Sequence, residues 1–168
     1  MPSQTRWLDD EEQELWRLLL GAVRKINRGM DETLKAGGEV SASEFAVLVA
    51  LSEAPEQHLR LHELCTQLEW DRSRASHQVT RMEKRGLLYK EPDAVDARGI
   101  NVCVTHVGLE HLRRAAPEHV ESVRHMVFDH LQPEDVPALR RFFNGVLQAK
   151  NLPGYEGYVP DSLLHGRD

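Results

Sequence analysis

Cysteine is scarce in this chain. Its 168 residues include two, Cys65 and Cys103, far apart and in apolar or strand-like surroundings. Neither a disulfide framework nor a zinc knuckle with paired ligand spacing is expected, and both thiols read as buried and inert. Long apolar runs are missing too. No stretch approaches the roughly 20 apolar residues of a membrane span, and the N-terminus lacks a signal-peptide pattern. A cytoplasmic protein with no membrane partner is expected. There is no glycine-rich phosphate loop and no nucleophile elbow, and His62-Glu63 lacks the second histidine of a His-Glu-x-x-His zinc site. The chain is therefore not expected to be an enzyme or to carry a cofactor or resident metal. Internal repeats and low-complexity tracts are absent as well.

Positive charge is short overall but concentrated. The formal net charge is −6, which superficially disfavours nucleic acid. Residues 71–90, however, hold six basic side chains against two acids, a local charge of +4. Phosphate binding needs only a local positive patch, and acidity elsewhere limits indiscriminate adhesion.

That patch coincides with a short predicted helix from Asp71, an N-cap residue, to Gly86, a glycine stop. At 100° per residue, Ala75, Val79 and Met82 share one side, with Ser73, Ser76, His77, Thr80 and Lys84 centred on the other and Arg72, Arg74 and Arg81 flanking them. Small hydroxyl residues let a helix backbone approach base edges, and arginine and histidine donate to guanine or phosphate. A solvated amphipathic helix would also explain an isolated basic face, so the neighbouring segments decide.

The neighbours favour recognition. Acidic residues from Asp9 to Glu12 suit the start of a helix, and Leu15/Trp16, Leu19, Val23, Ile26, Met30 and Leu34 continue it to Gly37-Gly38. That is longer than one globular domain requires, so a partner subunit is expected on its far end. Gly21 and Gly29 mark possible close crossings on it. Ser41 and Glu44 form a capping-box pattern before Phe45, Leu48, Val49 and Leu51, and Pro55 ends that helix. After a loop at 55–59, Leu61, Leu64, Cys65 and Leu68 give a short third helix. Only Glu69 to Asp71 separate it from the basic helix, the length of a helix-turn-helix connection. Leu87 to Lys90 and the alternating Ile100, Val102 and Val104 then read as a hairpin, with Arg98 near its tip and Asp93 and Asp96 in its loop. Arg98 suits a narrow minor groove, and at least one loop acid is expected to brace Arg98 or a backbone N–H. Thr105 caps the next helix, which Pro117 is expected to kink or interrupt. A last helix starts near Pro133, with Val136, Leu139, Phe142, Phe143 and Val146 as its stripe.

The order of these elements resembles the MarR family of winged-helix transcriptional regulators over about residues 10–150. The resemblance rests on Leu61 to Leu68, on Asp71-Arg72-Ser73-Arg74-Ala75-Ser76, on Met82-Glu83-Lys84-Arg85-Gly86-Leu87-Leu88, and on Asp93 to Arg98 followed by Thr105-His106-Val107-Gly108. It implies a mainly α fold with a small β-wing: an N-terminal dimerisation helix (10–36), a winged helix-turn-helix domain (37–105), C-terminal dimerisation helices (106–150) and a tail (151–168). It further implies a homodimer on pseudo-palindromic double-stranded DNA, acting as a repressor. Major-groove readers would be Arg72, Ser73, Arg74, Ser76, His77, Thr80 and Arg81, with Arg98 in the minor groove and Ser41 or Ser43 at phosphate. Arg81 and Arg85 are alternatively expected to hold Asp93 or Asp96. Relatives commonly release DNA on binding a small aromatic or phenolic effector, for which Trp16, Phe45 and His106 are the candidate contacts. Peroxide sensing through a cysteine on the first helix is not expected, since none precedes Cys65. Two other readings stand beside this one. A metal-sensing regulator would draw on His58, His62 and Cys65, although His58 precedes the helix. A winged helix used only for protein contacts would not need Arg74 and Arg98 together.

Overall fold

The computed structural model describes residues 6–93 and 99–149. The chain runs α1 (Asp10–Gly38), α2 (Ala42–Glu53), β1 (His58–Arg60), α3 (Leu61–Leu68), α4 (Arg72–Lys84), β2 (Leu88–Pro92), β3 (Ile100–Val104), α5 (His106–Met126) and α6 (Val136–Gln148). Short 3-10 turns precede β1 and α6. Asp9 and Ser41 each close a capping box, with Glu12 and Glu44 respectively, so α1 and α2 begin where their local sequence dictates.

α2 is apolar nearly all round and forms the centre. Its Val47, Leu48 and Leu51 are fully buried with Leu34, Val40, Leu64, Met82, Leu88 and Val102 from the surrounding elements. A helix without a polar face must be enclosed, and α1, α3, α4, α5 and the sheet enclose it. The sheet is antiparallel in the order β1-β3-β2, with Leu59 opposite Val102 and Lys90 opposite Val102 on the other side. The loop expected at 55–59 thus holds a third strand. Three residues are too few for alternation to show, and β1 exists because β3 offers it a hydrogen-bonding edge.

α1 and α5 pack antiparallel. Thr33 donates to the Ser122 hydroxyl at 3.1 Å, Gly29 lies against Met126, and Gly38 lies against Ala115. Gly29 therefore marks a close helix crossing, whereas Gly21 has open space around it. α5 runs through Pro117 as a single helix rather than being interrupted there, and it packs on α1 on both sides of the proline, at Ala115 and at Ser122.

Among the described residues, much of the N-terminal half of α1 and the apolar stripe of α6 are left exposed. Leu15, Trp16, Leu18 and Val23 of α1 are exposed, as are Leu139, Phe142, Phe143, Val146 and Leu147 of α6. α6 buries none of its residues.

Candidate nucleic-acid interface

α3, the turn Glu69–Asp71 and α4 form a helix-turn-helix. The turn is set locally: Glu69 takes a left-handed conformation (φ 52°), and the Trp70 N–H donates to the Cys65 carbonyl at 3.0 Å. Asp71 Oδ1 accepts from the Arg74 N–H at 2.8 Å, the expected N-cap. At the other end Gly86 adopts φ 72°, its N–H reaching the Glu83 carbonyl and that of Leu87 reaching Met82. This double hydrogen bond is a Schellman stop, which requires a residue that tolerates positive φ.

The two faces of α4 divide as expected. Ala75, Val79 and Met82 are buried, joined by Gln78. Arg72, Ser73, Arg74, Ser76, His77 and Arg81 are exposed, and Thr80 is half-buried. The structure thus gathers seven sequence-proposed readers on one accessible surface. Arg74 is not merely solvated: its guanidinium carbon lies 4.3 Å from the centroid of the buried Trp70 ring.

Arg98 and Asp96 lie outside the described residues, as does the tail from Asn151. The wing root is nevertheless defined. Arg60 forks onto Asp93, Nε to Oδ2 at 3.1 Å and Nη2 to Oδ1 at 2.9 Å, which ties β1 to the end of β2. This corrects the expectation that Arg81 or Arg85 holds Asp93. Arg85 instead turns to α2, donating to Glu44 Oε1 at 2.7 Å and to the Glu39 carbonyl at 2.8 Å. Neither pairing was legible, since both join residues more than 30 positions apart.

Glu44 is the joint of this arrangement. Burial pushes its carboxyl up, but the Ser41 N–H, the Arg85 guanidinium and the Ser41 hydroxyl outweigh that and hold it below its ordinary range. Its ionised form therefore stabilises the fold above the unfolded-state pKa of about 4.3, and that stability is lost as pH falls through the lower folded value. In Arg85→Ala we expect a loss of about 1–2 kcal/mol at pH 7, because the half-exposed Arg85 is partly replaced by water. Because the folded Glu44 pKa then rises toward its unfolded value, the acid limb should be shallower than in the wild type and the difference between the two proteins should shrink as pH falls. Urea melts from pH 3.5 to 7 read both, and superimposed curves would remove Glu44 as the joint.

Ser41 spends its hydroxyl on the α2 cap, accepting from the Glu44 N–H and donating to its carboxylate. Ser43, two residues on, is half-buried. An open cleft of about 420 Å³ lies beside them, lined by Lys35, Ser41, Arg81, Lys84 and Arg85 among others.

The candidate effector contacts do not converge within one chain. Phe45 packs on His119 of α5, ring centroids 4.6 Å apart. Trp16 stands in the exposed half of α1, 22 residues before Gly38, about 33 Å along a helix. His106 opens α5 at the opposite end of the antiparallel pair. His62 is exposed while Cys65 faces the core, and among the described residues no three His, Cys, Asp or Glu side chains could hold a metal ion. Burial pushes the thiols of Cys65 and Cys103 above their ordinary range.

A helix-turn-helix followed by a hairpin whose root is pinned to a third strand is a winged helix, the class of protein this fold and surface define. Residues 39–99 match the sequence profile of the MarR family. Among solved structures, the chain is 35% identical to Sco3205, a MarR family transcriptional regulator from Streptomyces coelicolor in complex with DNA. That match covers 93% of this chain and 98% of the other at a TM-score of 0.84. It is 36% identical to AbsC, a MarR family regulator from the same organism, over 86% and 97% of the two chains, with a TM-score of 0.82. BpsR of Bordetella bronchiseptica, whose DNA binding is regulated by 6-hydroxynicotinic acid, shares the fold at 20% identity, with 87% and 100% coverage and a TM-score of 0.73. Comparison with curated proteins gave no match. The chain belongs to the MarR family and is a DNA-binding transcriptional regulator. No helix among the described residues is long and apolar enough to cross a membrane.

Proposed function

We propose that the protein is a homodimeric repressor, working in the cytoplasm and not as an enzyme, that binds a pseudo-palindromic operator and releases it on binding a small aromatic or phenolic acid. The observation that carries DNA recognition is the division of α4, apolar contacts inward and Arg72, Ser73, Arg74, Ser76, His77, Thr80 and Arg81 outward. These would read the major groove, with Arg98 in the minor groove and Ser43 at a phosphate. Dimerisation is supported by the uncovered apolar faces of α1 and α6. Two copies of α4 would then enter successive major grooves about 34 Å apart. Effector control rests on kinship with regulators of the BpsR kind, and Phe45 with His119 is the pairing of α2 and α5 that a ligand there would meet first.

The test is a fluorescence-anisotropy titration of duplex from the gene's own upstream region against random duplex at several salt concentrations. We expect a preference of at least roughly 10³-fold at physiological salt. Between 50 and 200 mM salt, affinity should fall by roughly 10³-fold or more for six or more phosphate contacts. Equal affinity for both duplexes would remove the operator reading.

A further inference from the structure

Three arginines sit on the outer part of α4, and among the described residues only Arg74 has an aromatic platform. Trp70 is 9% exposed and part of the core cluster. Its backbone is anchored to Cys65, so its ring is a fixed surface. Arg74 is the third residue of α4, and its own N–H is held by the Asp71 cap. The backbone end of Arg74 is thus fixed by a hydrogen bond and its guanidinium end by the indole at 4.3 Å. A long side chain that would otherwise sample many rotamers is restrained at both ends.

Stacking occupies one face of the guanidinium and none of its N–H donors, which lie in the plane and point from its edges. Among the described residues, the Arg74 side chain makes no ion pair or hydrogen bond. A fork of free in-plane donors held at the start of a recognition helix matches the O6 and N7 acceptors that guanine presents in the major groove.

We propose that Trp70 is a specificity-positioning residue: its indole holds the Arg74 guanidinium edge-outward so that it reads one guanine in each half-site. This rests on the DNA-recognition reading above. It separates Arg74 from Arg72 and Arg81, which have no aromatic support and supply charge rather than base choice. Trp70 itself touches no base. Its effect on DNA passes entirely through Arg74, so the two residues are coupled in specificity.

The experiment selects duplexes from a random pool with the full-length wild type, then measures affinity for the selected duplex and for the same duplex with the enriched guanine replaced. Arg74→Ala is expected to lower that discrimination roughly 10- to 100-fold. Trp70→Leu, which keeps apolar volume but removes the aromatic face, should lower it about tenfold, leaving affinity for random duplex within about twofold. In the Arg74→Ala background, Trp70→Leu should cost nothing further. Should the leucine variant fail to fold, Trp70→Phe and Trp70→Tyr keep a smaller ring in the core and give the same coupling, graded by ring size. A Trp70 effect of equal size with and without Arg74 would make the tryptophan purely structural and overturn the proposal. So would a guanine preference that survives Arg74→Ala. A wild type that enriches no sequence would instead overturn the DNA-recognition reading itself, and this inference with it.

Discussion

Phe143→Asp is expected to turn the protein into a monomer and to weaken binding to its operator by roughly 10²–10⁴-fold, the gain that linking two binding modules ordinarily supplies. Phe143 is 49% exposed in the single chain and packs edge-on against Phe142, centroids 5.4 Å apart. With Leu139, Val146 and Leu147 it forms an apolar stripe left exposed among the described residues. A 13-residue helix is marginal in water on its own, and in the proposed dimer α6 would draw its stability from the partner, against the half of α1 whose apolar residues are exposed among the described residues. A carboxylate at that contact has no partner and carries a desolvation cost. The winged helix should be spared, because Phe143 lies outside the core that holds α4. Analytical ultracentrifugation and anisotropy read the two effects side by side. A variant that stays dimeric, or a monomer that binds its operator undiminished, would contradict the prediction.

Gly108→Val should cost at least about 3 kcal/mol of stability, with Gly108→Ala costing less. Gly108 lies in the first turn of α5, where a Cβ would overlap the Leu87 carbonyl oxygen and press on Val104 and Leu48 side chains. The carbonyl is the contact that cannot yield: it accepts the Thr105 N–H at 3.1 Å, and Leu87 is completely buried. Thr105 in turn caps α5 through Gly108 and donates to the Gly86 carbonyl. A larger residue must therefore open the junction joining the end of α4, the wing and α5. Chemical denaturation monitored by circular dichroism gives the loss, and a valine variant as stable as the wild type would mean that this junction relaxes freely.

Much of the fold was legible in the sequence because its determinants are local. The capping pairs Asp9/Glu12 and Ser41/Glu44 define helix starts within four residues, and Gly86 ends α4 by a conformation few other residues adopt. The inward face of α4 follows from helical spacing alone. So does the exposed basic face, since a side chain opposite a buried stripe has nowhere else to go. Alternation in β3 placed the wing hairpin, and the length of the first helix pointed to a partner that the family resemblance then supplied.

The remainder depended on packing between distant segments. β1 has no periodicity of its own, and β3 creates it by offering an edge. Arg60 meets Asp93, and Arg85 meets Glu44, only after the helices have docked, because charge complementarity does not specify which of several arginines reaches which acid. Trp16 and His106 look compatible as pocket residues on a line of text, yet an antiparallel α1–α5 pairing sends them to opposite ends. The Trp70–Arg74 stack has helical spacing but straddles a helix boundary, so periodicity does not apply to it; the left-handed Glu69 swings the ring under the guanidinium. The sequence by itself determined where helices begin and end and which faces turn inward, since those are set within a few residues by hydrogen bonding and hydrophobic spacing. Tertiary structure alone decided which charged and aromatic side chains meet, since those pairings depend on the angles at which finished elements pack.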